Sequence, residues 1–132
     1  MHSFSRNERL KSRKLIIRLF KAGHSYVAYP LRVVWLPVDE EEQQFAGFEG
    51  APAQLAISVP KRSFKTAVAR NLLKRRIREA YRLNKQDWYG KLSAGGPRLA
   101  LMLVYIAKEE LTFEEIESGI KKMVKKFPGQ PA

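Results

Sequence analysis

The chain has 132 residues, 45% of them hydrophobic, with 25 Lys and Arg against 13 Asp and Glu for a formal net charge of +12. That is apolar material for one core and too little chain for two full-sized domains, so a single domain over 1–132 is expected, with its ordered core over about 8–127. Zero cysteines and two histidines, His2 and His24, argue against disulfide, thiolate-metal and Ser-His-Asp chemistry. The lack of a membrane-length apolar run or a signal-peptide core predicts a cytoplasmic protein with no membrane partner.

Leu15, Ile16, Leu19 and Phe20 recur at helical spacing before Gly23, which predicts a first helix over about 8–22. A strand over 26–36 follows, with Leu31, Val33 and Trp35 alternating around Arg32, and Pro30 marks its start or an edge position. Asp39, Glu40, Glu41 and Glu42 then read as part of a solvated hairpin loop over about 38–53. A carboxylate cluster holding Mg²⁺ is the other reading, but consecutive acids on a loop rarely converge on one ion. Leu55, Ile57 and Val59 alternate in a second strand, and an antiparallel hairpin with the first is the simplest connection.

Helical period returns over 67–85, and Asp87 to Arg98 reads as a loop because it holds Gly90, Gly95, Gly96 and Pro97. Leu99 to Ile106 is a continuous apolar run suited to a central strand buried on both faces. Thr112 and Glu115 form a capping box ahead of a helix through Ile116, Ile120, Met123, Val124 and Phe127, which Pro128-Gly129 ends. The order is α, β, β, α, β, α on a mixed sheet, with room for a further strand in 42–54.

Charge is unevenly spread along this order: residues 1–32 carry +7, 33–60 carry −5, 61–98 carry +10 and 99–132 are neutral. On the helix over 67–85, Ala69, Leu73, Ile77, Ala80 and Tyr81 gather on one side, interrupted by Arg76 and Asn84. Arg70, Asn71, Lys74, Arg75, Arg78, Arg82 and Lys85 fill an adjoining arc of about 140° with no acidic member. Glu79 lies off the arc, in reach of Arg75 at i,i+4 spacing. An ordinary solvated helix mixes both signs, whereas arginine forks on one rigid face match phosphate oxygens. Lys61, Arg62 and Lys65 precede the helix and enlarge the same patch, so the residues point to a binder of structured RNA or DNA.

At this helix the sequence resembles the protein subunit of bacterial ribonuclease P. The match runs through Ala67-Val68-Ala69-Arg70-Asn71 and Lys74-Arg75-Arg76-Ile77-Arg78-Glu79-Ala80-Tyr81-Arg82, preceded by Ile57-Ser58-Val59 and Lys61. It extends back to Leu10-Lys11 and Leu19-Phe20-Lys21-Ala22-Gly23 and forward to the strand from Leu101 to Ala107 and to Phe113-Glu114-Glu115, covering about 8–127. Leu72 departs from it, standing where the family's arginine-asparagine-arginine motif has its second arginine.

The resemblance implies an α/β (α+β) two-layer sandwich of the ribosomal protein S5 domain 2-like kind. Its mixed four-stranded sheet carries three helices in αβββαβα order, with a left-handed βαβ crossover against the general rule. It also implies a protein that assists Mg²⁺-dependent removal of the 5′ leader from precursor tRNA, with the catalytic centre and the Mg²⁺ in an RNA subunit. No catalytic side chain or metal ligand is then assigned to the protein. Its partners are the ribonuclease P RNA and precursor tRNA, with no obligate protein partner. Lys61, Arg62, Lys65, Arg70, Asn71, Lys74, Arg75, Arg78 and Arg82 would contact RNA. Arg13, Ile16, Phe20 and Val34 would line a cleft for the single-stranded leader, with Val34 replacing a frequent tyrosine. Arg18 and Lys21 would add phosphate contacts. Spacing alone gives Phe20 a core position instead. A ribosomal-type structural RNA binder is the alternative, separated by the lack of a leader cleft around Phe20.

Overall fold

The computed structural model describes residues 4–93 and 98–129; His2 and the expected loop residues Gly95, Gly96 and Pro97 lie outside them. A 3-10 turn at Arg6–Glu8 opens the described chain, and the following residues run extended along the sheet edge, where the Leu10 N–H donates to the Leu55 carbonyl at 2.9 Å. The first helix, α1, is therefore shorter than expected and spans Arg13–Ala22. Ser12 sets its start by accepting from the Leu15 N–H. Gly23 ends it where a Cβ would lie 2.5 Å from the Leu19 carbonyl oxygen.

The expected strand over 26–36 is two strands, β1 (His24–Ala28) and β2 (Leu31–Val38), divided at Tyr29 and Pro30. The fourth strand thus lies before Pro30 and not in 42–54. The acidic stretch is a helix, α2 (Glu40–Phe45), instead of a loop. Asp39 caps it by accepting from the Glu42 N–H at 2.9 Å, and three Glu in the first turn favour the positive end of the helix dipole. After β3 (Ala53–Ser58), Thr66 caps α3 (Ala67–Leu83). A further helix, α4 (Lys85–Ser93), occupies most of what composition marks as loop, because Trp88 and Leu92 stand one turn apart and both bury. The chain then enters β4 (Arg98–Tyr105) and α5 (Phe113–Lys126), whose Thr112–Glu115 capping box forms as its sequence predicts.

The sheet order is β1-β2-β4-β3, with β2 antiparallel and β3 parallel to β4. Strands β2 and β3 are consecutive yet do not pair. The apolar run of β4 takes the place between them because it can be covered on both faces along its whole length. Val33, Leu55, Leu101 and Leu103 point to one face and pack with Leu73 and Ile77 of α3 and Ile116 and Ile120 of α5. Each such buried aliphatic side chain contributes about 1.5–3 kcal/mol, and together they fix α3 to the sheet. On the opposite face Leu36, Val38, Ala100 and Met102 pack with Leu15 and Leu19 of α1. The fold is the mixed four-stranded α+β arrangement expected, but the described residues form five α-helices in place of three, and helices cover both sheet faces in place of one, α3 and α5 on one side and α1 across the other.

Candidate nucleic-acid interface

Leu73, Ile77, Ala80 and Tyr81 bury the inner face of α3, so the helix must present the residues between them outward. Asn71, Arg75 and Arg78 are exposed, while Lys74 and Arg82 are half-buried along the same flank. The Arg70 guanidinium is anchored, its Nη1 donating to the Phe64 carbonyl at 2.7 Å. Phe64 itself is buried in the core and so fixes the turn that carries exposed Lys61, Arg62 and Lys65. Helix and preceding turn thus form one cationic surface. Leu72 is half-buried beside it.

Two details differ from the helical projection, at Arg82 and Lys85, and two that it shows, Arg76 and Asn84, find their reason. Arg82, not Arg75, pairs with Glu79, at 2.7 Å. Its hydrogen bond holds the Glu79 carboxyl below the usual range and pushes the Arg82 guanidinium up, so part of that cation's charge is met internally. Arg76 interrupts the apolar stripe because its Nη1 donates to the Leu111 carbonyl at 2.6 Å, tying α3 to the approach of α5. Asn84 does so because its side-chain amide donates to the Ala80 carbonyl at 2.8 Å and to Glu117 at 3.0 Å. Lys85 leaves the arc altogether: it begins α4 and its ammonium lies 2.9 Å from the buried Glu8 carboxylate.

On the other sheet face, Ile16 and Val34 join the cluster under α1 as half-buried members. Phe20 does not take the core position that spacing favours and is 67% exposed, because Leu15 and Leu19 already fill the inward stripe. Arg13 and Lys21 are exposed at the two ends of the helix. Arg18 forms an ion pair with Glu42, which binds α1 to α2. With Asp39 acting as a cap and Glu42 paired, the acidic stretch does not converge as a ligand set. Among the described residues no group of three or more His, Cys, Asp or Glu could hold a metal ion.

Sequence reading missed three side chains that the fold brings into play. Glu8 is buried in a network with Lys85 and Tyr89, and Arg32 and Lys108 approach the turn of Arg62. Each meets its partners across long sequence separations, so no local pattern could have announced it.

The fold and this surface define a small basic α+β protein whose charge is concentrated on one helix and the turn before it, a surface suited to polyanions. Comparison narrows the class. The family model described as Ribonuclease P matches residues 4–128. A ribonuclease P protein component from Porphyromonas gingivalis is 32% identical over 125 residues, covering 95% of this chain and 86% of the relative. One from Clostridioides difficile is 28% identical over 123 residues, with 93% and 94% covered. In fold, the chain resembles the Staphylococcus aureus RNase P protein at a TM-score of 0.66 and 23% identity, over 89% of this chain and 93% of that one. The Thermotoga maritima RNase P protein is similar at 0.66 and 22%, over 92% and 99%. The chain belongs to the ribonuclease P protein family, the accessory protein subunit of an endoribonuclease of tRNA processing.

Proposed function

We propose that this chain binds the catalytic RNA of ribonuclease P through α3 and the turn before it, and receives the 5′ leader of precursor tRNA on the sheet face beside α1. The observation that carries this reading is the exposed cationic surface formed by Lys61, Arg62, Lys65, Arg75 and Arg78 with anchored Arg70. Arginine forks fixed on a rigid helix meet phosphate oxygens with little loss of side-chain freedom on binding. Exposed Phe20 on α1 supplies a stacking platform for a leader base, a contact worth about 1–3 kcal/mol in single-strand binders.

In this reading the metal chemistry of hydrolysis would be supplied by Mg²⁺ held on the RNA, and no side chain of this chain is assigned to it. The protein's part is to lower phosphate repulsion between substrate and catalytic RNA and to hold the leader in place.

The test is 5′ cleavage of a precursor tRNA at limiting Mg²⁺ by a bacterial ribonuclease P RNA, with the protein, without it, and by the protein alone. Stimulation is expected only when RNA and protein are combined, and Phe20→Ala should reduce the preference for precursor over mature tRNA. Tight, salt-sensitive RNA binding without stimulation would favour a structural RNA binder.

A further inference from the structure

Residues 4–11 form an arm along the outer edge of β3, and the fold pins it at several points. The Leu10 N–H donates to the Leu55 carbonyl at 2.9 Å, and the Gln54 side-chain amide donates to the Asn7 carbonyl at 3.1 Å. Glu8, the only acid in the arm, is buried and turned toward Lys85 and Tyr89, which leaves its neighbours Arg6 and Arg9 without a counter-charge. With Asn7, Glu8 and Leu10 turned inward, Arg6, Arg9 and Lys11 are exposed. These three cations line a cavity of about 370 Å³ with Ala46, Gly47 and Glu49, the last being its one acid. None of the three makes a hydrogen bond or ion pair among the described residues.

The arm lies on the side of the sheet that carries α3. Arg9 bridges to Leu55, whose side chain packs in the core under α3 and α5, whereas Leu10 turns into the cluster under α1. The Arg9 guanidinium lies 5.4 Å from the centroid of the Phe4 ring, and that ring meets Tyr81 of α3 edge-on at 6.0 Å. Tyr81, Arg78 and Arg82 fall within about 100° of one another around the helix axis. The Phe4–Tyr81 contact and the Glu8–Lys85 pair therefore attach the arm to the cationic flank of α3. Stacking on a ring holds a guanidinium without using its N–H donors, so Arg9 keeps its fork for an anion.

We propose that the arm is a second contact for the catalytic RNA, with Arg6 and Arg9 binding phosphates of its backbone and carrying the α3 surface around the edge of β3. This inference rests on the RNA-binding reading above. The occupant is the catalytic RNA and not the leader, because Phe4 and Arg9 stand on the α3 side while the leader, in that reading, lies on the α1 face.

The test compares the full chain with Arg6→Gln/Arg9→Gln, with a charge-matched control on α5, Lys121→Gln/Lys125→Gln, and with Arg75→Gln/Arg78→Gln on α3. Affinity is measured against salt for ribonuclease P RNA alone, then for precursor and mature tRNA in the reconstituted holoenzyme, and circular dichroism checks that each variant folds. Loss of two phosphate contacts in the arm should flatten the log–log salt dependence on ribonuclease P RNA by about 1.4–1.8, each single variant by about half as much, with the control near wild type. An arm variant that matches the control while the α3 variant is flattened overturns the arm and leaves the RNA-binding reading standing. Flattening confined to precursor tRNA also overturns the proposal, since the arm would then hold substrate. A wild-type chain that does not bind ribonuclease P RNA overturns both.

Discussion

Glu8 shows how one side chain fixes the start of the fold. Its carboxylate accepts from the Tyr89 hydroxyl at 2.6 Å, the Ser5 N–H at 2.7 Å and the Lys85 ammonium at 2.9 Å. Burial by itself would raise the Glu8 pKa, but the bonds from Tyr89, Ser5 and Lys85, with the charge of Lys85, outweigh it and leave the carboxyl below its ordinary 4.5. Burial, with Tyr81 and Glu8 beside it, pushes the Tyr89 phenol well up, so it remains a donor throughout the working pH range. A depressed carboxylate stabilises the fold fully above its unfolded pKa, and that stability is lost as pH falls through the folded value. Glu8→Gln places an amide NH₂ against an ammonium and removes the charge-assisted bonds, at a cost of about 2–3 kcal/mol near neutral pH. Urea unfolding should show this difference at pH 7 and a shrinking one below about pH 4. A pH-independent difference would mean that ionisation of Glu8 plays no part.

Among the elements, α3 separates anchoring from display. Arg70 holds the preceding turn and Arg76 holds the loop before α5, so charge reversal at either would disturb the fold as well as the surface. Arg75 and Arg78 are exposed and have no internal partner among the described residues, and so report on binding alone. Arg75→Glu/Arg78→Glu should weaken binding to ribonuclease P RNA by about 10²- to 10⁴-fold, taking about 1.5–3 kcal/mol for each of two charge-assisted contacts. Thermal unfolding should move little, as expected for exposed substitutions within about 0.5 kcal/mol. Unchanged binding would remove this face from the interface.

The same helix shows what a sequence discloses. Its apolar stripe and cationic flank follow from period alone, as does the Thr112–Glu115 capping box of α5. The departure of Lys85 to Glu8 does not, because its partner is 77 residues away. Helix α4 escapes a reading by composition since Gly90 weakens a segment that Trp88 and Leu92 stabilise by burial against distant strands and helices. The non-pairing of β2 and β3 is likewise decided by competition for β4, which no local pattern records. At the interface, residue types were legible, but Phe20 became identifiable as exposed only once Leu15 and Leu19 were seen to fill the stripe.

At the scale of the molecule, the charge is polarised as well as large. Acidic α2 is bound to α1 through Glu42 and Arg18, while the greatest positive density lies on α3 and the turn of Lys61 to Lys65. A uniform charge of +12 would attract any polyanion in any orientation; this arrangement favours approach by the α3 side, with the acidic helix held against α1. Internal pairing of Arg82 and Lys85 lowers the number of cations left for RNA, so affinity should follow contacts and not total charge. With three to six phosphates neutralised, the slope of log affinity against log salt should lie at roughly −2 to −5, from about 0.7 per phosphate on single strands to 0.9 on duplex. Titration of the full chain with ribonuclease P RNA between low and physiological salt measures it directly. A slope near zero would mean that stacking and shape hold the RNA and that the cationic surface is solvated ornament, whereas a slope much steeper than −5 would extend the footprint beyond α3 and its turn.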